Sequence, residues 1–209
     1  MQSSREVADW WGAAKIVLAQ SDKSLAKIID KMDDQELQSS GDLFATLIKS
    51  IVGQQISVIA ASAVWDRLCE LVGEITDENI LMKSHLELRS VGLSNRKAEY
   101  IIGISEAWRN GLNLLEWELM TDEEVLKELI TLRGVGQWTA QMLLIFALLR
   151  ADIFPIDDIG LIRGMEKVYN SGNSLDNNTL VEISNSWKPY RTLGVWYMWR
   201  TIDSEVVEY

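Results

Sequence analysis

Apolar positions along this chain recur at spacings of three and four. Leu43, Phe44, Leu47, Ile48, Ile51 and Val52 form one such stripe, and Val125, Leu126, Leu129 and Ile130 another. That period places the apolar side chains on one face of a helix. No run alternates strictly between apolar and polar, and no Asn-Gly pair marks a hairpin of strands. Start signals recur as well. Ser84-His85-Leu86-Glu87 and Thr121-Asp122-Glu123-Glu124 have the form of a capping box, in which a hydroxyl and a carboxylate satisfy free backbone N–H groups at a helix start. Glycines at 41, 53, 73, 92, 111, 134, 136 and 172 stand at the gaps between periodic segments and read as helix stops or joints. The pattern predicts helices over 5–19, 22–32, 42–53, 57–72, 77–82, 84–90, 94–109, 121–131, 137–149, 158–169, 178–186 and 190–203. The fold class is all-α. Ser39-Ser40-Gly41 and residues 151–155 are the weakest joints, which suggests a two-lobed helical body with a cleft near them.

Composition narrows the setting. The 209 residues are 47% hydrophobic and 24% charged, the balance of an ordinary globular protein large enough to bury a sizeable core. The longest apolar run, residues 142–149, is far too short to cross a bilayer, and the first six residues lack the features of a secretory signal. The single cysteine, Cys69, excludes an internal disulfide, a four-cysteine zinc site and a cysteine-held iron–sulfur cluster. We therefore expect a reducing, intracellular location and no membrane association. With His85 the only histidine, neither a histidine-based metal site nor a His-centred triad can form.

Charge alters the picture. Twenty Lys and Arg against 31 Asp and Glu leave a net charge of −11, which by itself argues against a polyanionic partner. The acids are unevenly placed, gathering in 30–42, 70–78 and 116–128. Residues 131–151 hold Arg133 and Arg150 with no carboxylate, and 183–202 hold Lys188, Arg191 and Arg200 with none. These stretches are either chance gaps in a solvated acidic surface or local cationic faces.

The richest segment is Leu132-Arg133-Gly134-Val135-Gly136-Gln137-Trp138-Thr139-Ala140, between two helical runs. Two glycines one residue apart allow a tight turn whose backbone can approach a ligand, and the helix that follows presents N–H groups suited to an anion such as phosphate. A bare Gly-x-Gly is also an ordinary interhelical turn. Phe154-Pro155-Ile156-Asp157-Asp158-Ile159-Gly160-Leu161 is the second notable segment. Asp before an apolar run is a favoured helix cap, and a carboxylate there is equally a candidate for chemistry. Three further segments stand in order with these two: Ile51-Val52-Gly53-Gln54-Gln55-Ile56-Ser57, then Gly92-Leu93-Ser94-Asn95-Arg96-Lys97-Ala98-Glu99-Tyr100-Ile101, and Trp187-Lys188-Pro189-Tyr190-Arg191 near the end.

Taken together over residues 20–202, these five segments resemble the helix-hairpin-helix (HhH-GPD) DNA glycosylases, and within them the 3-methyladenine DNA glycosylase II branch. The nonapeptide resembles the family's hairpin, with Arg133 where proline is usual, and the Pro-x-Asp-Asp segment resembles the one that carries its essential aspartate. The resemblance implies an all-α, two-lobed fold without the extra β-domain of longer members. Residues 41–150 would form the lobe bearing the hairpin (132–140), and 1–40 with 151–209 the lobe bearing the catalytic aspartate. It implies a base-excision-repair enzyme that flips an alkylated purine out of double-stranded DNA and hydrolyses its N-glycosidic bond.

Residue by residue, the resemblance makes Asp158 the catalytic carboxylate, with Asp157 left for a helix cap or a supporting hydrogen bond. Gln55, the second glutamine of its pair, becomes the wedge that fills the gap left by the flipped base. Trp138 and Trp199 match pocket aromatics, which favour a cationic base through their ring faces, and Met142 stands where a relative has an aromatic residue. Phosphates are expected at the backbone of Gly134 and Gly136, helped by Arg133 and Thr139. Bifunctional relatives carry a nucleophilic lysine where this chain has Trp138; indole cannot form a Schiff base, so the enzyme reads as monofunctional. No catalytic metal or cofactor is implied, although family hairpins hold a structural monovalent cation (Na or K) on main-chain carbonyls, here around 131–136. The remaining tryptophans Trp10, Trp11, Trp65, Trp108, Trp117 and Trp187 carry no functional expectation, while Trp196 could serve either packing or the pocket. A monomer is expected. The rival readings are a glycosylase for oxidised or mismatched bases and a DNA-binding module without catalysis.

Overall fold

The computed structural model describes residues 6–32, 36–39 and 41–202. Among them are twelve α-helices: α1 (Trp11–Ser21), α2 (Lys23–Lys31), α3 (Leu43–Gly53), α4 (Val58–Val72), α5 (Asp77–Leu81), α6 (His85–Ser90), α7 (Asn95–Arg109), α8 (Asp122–Leu129), α9 (Gln137–Phe146), α10 (Ile159–Tyr169), α11 (Asn177–Asn185) and α12 (Arg191–Ile202). A 3₁₀ turn, Leu112–Leu114, follows α7. The all-α fold class expected from the periodicity is the one observed. Both capping boxes form: Ser84 and Thr121 each accept from the N3 backbone, while Glu87 and Glu124 reach back to the cap N–H.

Four details differ from the sequence expectation. The first helix begins at Trp11 rather than at residue 5, because Glu6–Val7 pair antiparallel with Gln38–Ser39 as strands β1 and β2. A two-residue strand is too short to show an alternating pattern. The helix expected over 137–149 stops at Phe146, where the chain turns through Leu149 at φ 50°, a left-handed conformation usually left to glycine. The 3₁₀ turn was not foreseen. Finally, Asp158 and not Asp157 caps α10, accepting the Leu161 N–H at 2.6 Å.

Two compact units are present, one built from the described parts of Met1–Gly41 and Leu144–Glu208, the other from Asp42–Leu143. In the first, α12 is the central element, against α10, α1, α2 and α11. Residues 192–198 of α12 are buried in an unbroken run, so no amphipathic stripe appears there. Gly164 of α10 allows the close approach: a Cβ there would collide with the Met198 carbonyl. Asp22 ties the unit together. Its Oδ1 caps α2 through the Ser24 and Leu25 N–H groups, and its Oδ2 accepts from Tyr169 Oη (2.7 Å) and Trp187 Nε1 (3.1 Å). Burial, followed by the Asp22 contact, raises the Tyr169 phenol well above its ordinary range. In the second unit, α3 and α7 are the core helices, flanked by α4, α5 and α6.

Candidate active site

The hairpin lies in the second unit. After α8 the chain tightens through Leu132 N–H to Leu129 O (3.1 Å) and Val135 N–H to Leu132 O (3.0 Å), with Val135 buried as its anchor. Gly134 has φ 93°, and a Cβ there would collide with the Tyr100 ring, so both the turn and its neighbour demand glycine. Gly136 is exposed and opens α9, whose first N–H groups have no acceptor within the helix. Arg133 faces outward: its side chain is 76% exposed, sits 5.6 Å over the Tyr100 ring and pairs with Glu99 at 3.4 Å. The result is a cradle of backbone donors beside an accessible cation.

Gln54 and Gln55 part company. Gln54 turns inward, its Nε2 donating to Gly134 O (3.0 Å) and Thr139 Oγ1 (3.1 Å). Gln55 is exposed and stands at φ 58°, a strained conformation for a residue with a side chain. Lys97 sits behind the loop, donating to Val52 O (2.8 Å) and Gln54 O (2.6 Å). Burial lowers the Lys97 pKa from its ordinary value. The sequence had singled out the segment holding Lys97 without giving that lysine a role; its partner loop lies more than forty residues away and no local pattern announces it.

Thr139 departs from expectation. It is 3% exposed and its hydroxyl is held by Gln54, so the side chain is not offered to a phosphate; only its backbone stands at the helix start. Trp138 is half-buried one residue earlier. Met142, one turn further on the same face, is 1% exposed and so belongs to the interior rather than to an open surface.

Asp158 lies in the first unit. Its Oδ1 accepts two N–H groups, from Leu161 at 2.6 Å and from Trp199 Nε1 at 2.8 Å. Trp199 is itself fixed by stacking on Phe146, with centroids 5.7 Å apart and planes 12° from parallel. Gly160 keeps the corner open, since a Cβ there would stand 3.2 Å from both Asp158 Oδ1 and Trp199 Cδ1. A carboxylate gripped at one oxygen by a helix start and by an indole has a set orientation, as chemistry at a fixed point requires. Asp157 is exposed and makes no capping bond. Trp196 is 4% exposed and joins the core.

Among the described residues, no group of three or more His, Cys, Asp or Glu could hold a metal ion. A cavity of about 270 Å³ in the second unit is lined by residues such as Asn110, Leu115 and Glu128 and reaches Thr131 and Leu132 at the start of the hairpin.

Apart from the short β1–β2 pair, the described residues form a helical protein with a glycine-turned hairpin and an aspartate-capped helix. Residues 48–189 match the profile described as HhH-GPD superfamily base excision DNA repair protein. The chain belongs to that superfamily. It is 29% identical to DNA-3-methyladenine glycosylase 1 of Schizosaccharomyces pombe over 192 residues, covering 90% of this chain and 83% of that one. Among solved structures, the S. pombe 3-methyladenine DNA glycosylase Mag1 in complex with abasic DNA superposes with a TM-score of 0.82 at 27% identity, covering 94% of this chain and 98% of that one. A DNA-3-methyladenine glycosidase from Bacillus halodurans gives a TM-score of 0.77 at 32% identity, covering 95% and 92%.

Proposed function

We propose that this protein removes alkylated purines of the 3-methyladenine type from double-stranded DNA and leaves an unbroken abasic site. It is a DNA glycosylase of base excision repair, an N-glycosyl hydrolase, as its relatives are. The observation that carries the reading is the two-donor grip on Asp158 Oδ1 within the Pro-x-Asp-Asp segment.

In this reading the bond between C1′ and the purine nitrogen breaks and its electron pair leaves with the base. A base already cationic through alkylation needs little protonation. Positive charge builds on the sugar, and the Asp158 carboxylate stabilises it electrostatically. Water then attacks C1′, its oxygen forming the new bond and its proton passing to the carboxylate. Trp138 and Trp199 are each a candidate to meet a cationic purine with a ring face, an attraction of about 0.5–2 kcal/mol; Met142, at 1% exposure, packs in the interior. Gln55 enters the stack as the wedge. Phosphate is held by the backbone at Gly134 and Gly136 with Arg133 beside it, Thr139 contributing through its main chain. With indole at position 138 no Schiff base forms, so no strand nick accompanies base loss.

A sodium or potassium ion on main-chain carbonyls of 131–136 belongs to the same proposal. Main-chain carbonyls are neutral oxygen donors, which suits a weakly held monovalent ion, with Leu132 O and Gly134 O already accepting from Val135 N–H and Gln54 Nε2. The enzyme needs no other cofactor, acts as a monomer and works inside the cell. Single-turnover release of free base from methylated DNA tests the reading: wild type should liberate methylpurines, and Asp158→Asn should lose about two or more orders of magnitude. Equal release by both would mean the carboxylate lies elsewhere. Nicking of the product strand without added alkali would overturn monofunctionality.

A further inference from the structure

The paired glutamines do different work. Gln55 projects outward from a strained backbone, whereas Gln54 is committed to the interior of its own unit. The Gln54 N–H closes its own helix on Ile51 O, while its side-chain amide and its carbonyl reach other elements. Its amide bridges to the hairpin at Gly134 O and Thr139 Oγ1, and its carbonyl, with that of Val52, takes the Lys97 ammonium from α7. One turn along α7 from Lys97, Tyr100 fills the space behind Gly134 and lies beneath Arg133. Positions 97 and 100 share a helix face, so one face of α7 backs both the loop of Gln55 and the hairpin.

A residue at φ 58° without glycine's freedom relaxes unless its neighbours hold it. The two bonds of the Gln54 amide and the two of Lys97 supply that hold. Lys97 is half-buried, which lowers its pKa, and the Val52 and Gln54 carbonyls take up its ammonium.

We propose that Gln54 is a positioning residue for base flipping. It locks the loop that carries Gln55 to the phosphate-binding hairpin, so that the wedge is already formed when the hairpin engages the backbone. Lys97 is its partner in this brace. The proposal rests on the glycosylase reading above and adds a consequence to it. A brace for the wedge matters when a base pair must be broken, and matters little when the base is unpaired, because extrusion costs least there.

The experiment measures single-turnover excision from two duplexes. Each carries one N-methylated purine, in the first opposite its Watson–Crick partner and in the second opposite an abasic analogue. Wild type should act on both. Gln54→Ala should lose about tenfold or more on the paired lesion, the loss expected for a pair of part-buried hydrogen bonds, and less than about threefold on the unpaired one. Lys97→Met, which keeps the aliphatic stem, should show the same split, and thermal melting of both variants reports on folding. An equal loss on the two duplexes would mark a general structural or chemical role and overturn the brace, as would no loss on either. If wild type excises from neither duplex, the glycosylase reading fails first and the brace with it, a result distinct from failure of the brace alone.

Discussion

Asp158 shows how a helix cap also fixes the carboxylate that we propose for catalysis. At the level of sequence, helix cap and catalytic carboxylate were competing readings of the same position. In the structure, Oδ1 makes the cap bond to Leu161 and also receives the Trp199 indole, so the cap is what orients the carboxylate. Trp199→Phe keeps a ring to stack on Phe146 and deletes one N–H donor. We expect base release to slow by about tenfold or more, in line with a lost bond to a charged group, with DNA affinity nearly unchanged; single-turnover rates and a binding isotherm separate the two. Gly134 is the residue-scale counterpart in the hairpin. Gly134→Ala meets both a positive φ and the Tyr100 ring, and should destabilise by about 1–3 kcal/mol in urea unfolding while weakening DNA binding. The need for glycine at 134 was legible in the Gly-x-Gly spacing. The Trp199 partner of Asp158, 41 residues onward, was not.

At the scale of elements, helix starts carry much of the information. Asp22, Asp42, Ser57, Thr76, Ser84, Ser94, Thr121, Asp158 and Asp176 all cap helices through side-chain oxygens, as their short polar chains favour. Three cap-region carboxylates have pKa values below the ordinary ones: Glu87, through the Ser84 hydroxyl and then its N–H; Glu124, through the Thr121 N–H and then its hydroxyl; and Asp176, through the Thr179 N–H. A carboxylate depressed in the folded state binds fewer protons than in the unfolded chain. Its contribution is therefore complete above its ordinary value, 4.5 for the glutamates and 3.8 for Asp176, and is lost as pH falls through the lower folded value. Denaturation midpoints followed from neutral pH downward should fall below those values, and the triple variant Glu87→Gln, Glu124→Gln, Asp176→Asn should fall less steeply. Helix ends were harder to read. The stop of α9 depends on Leu149 at φ 50°, a conformation with no glycine to announce it.

For the whole molecule, the net charge of −11 sets a testable bound. With Arg133 the exposed cation at the hairpin and the remaining hairpin donors uncharged backbone, nonspecific DNA binding should be modest. The slope of log affinity against log salt should correspond to fewer than about eight neutralised phosphates. Asp22 is one buried hub of the first unit. Asp22→Ala would leave the Tyr169 hydroxyl and the Trp187 indole without their partner, and should cost about 2–5 kcal/mol in chemical denaturation. Local rules set much of this protein directly from its sequence. Periodicity, caps and glycines act within a few residues, so twelve helices and a glycine turn at 134–136 could be read from neighbours alone, whereas the roles of the hairpin and of Asp158 came from the family resemblance. The tertiary structure decided what depends on distant partners: Lys97 behind the glutamine loop, Tyr100 behind Gly134, Trp199 on Asp158, and Thr139 turned inward. Hydrogen bonds and ring contacts join groups that folding brings within about 3–6 Å, whatever their separation along the chain, and a linear pattern holds no record of that separation.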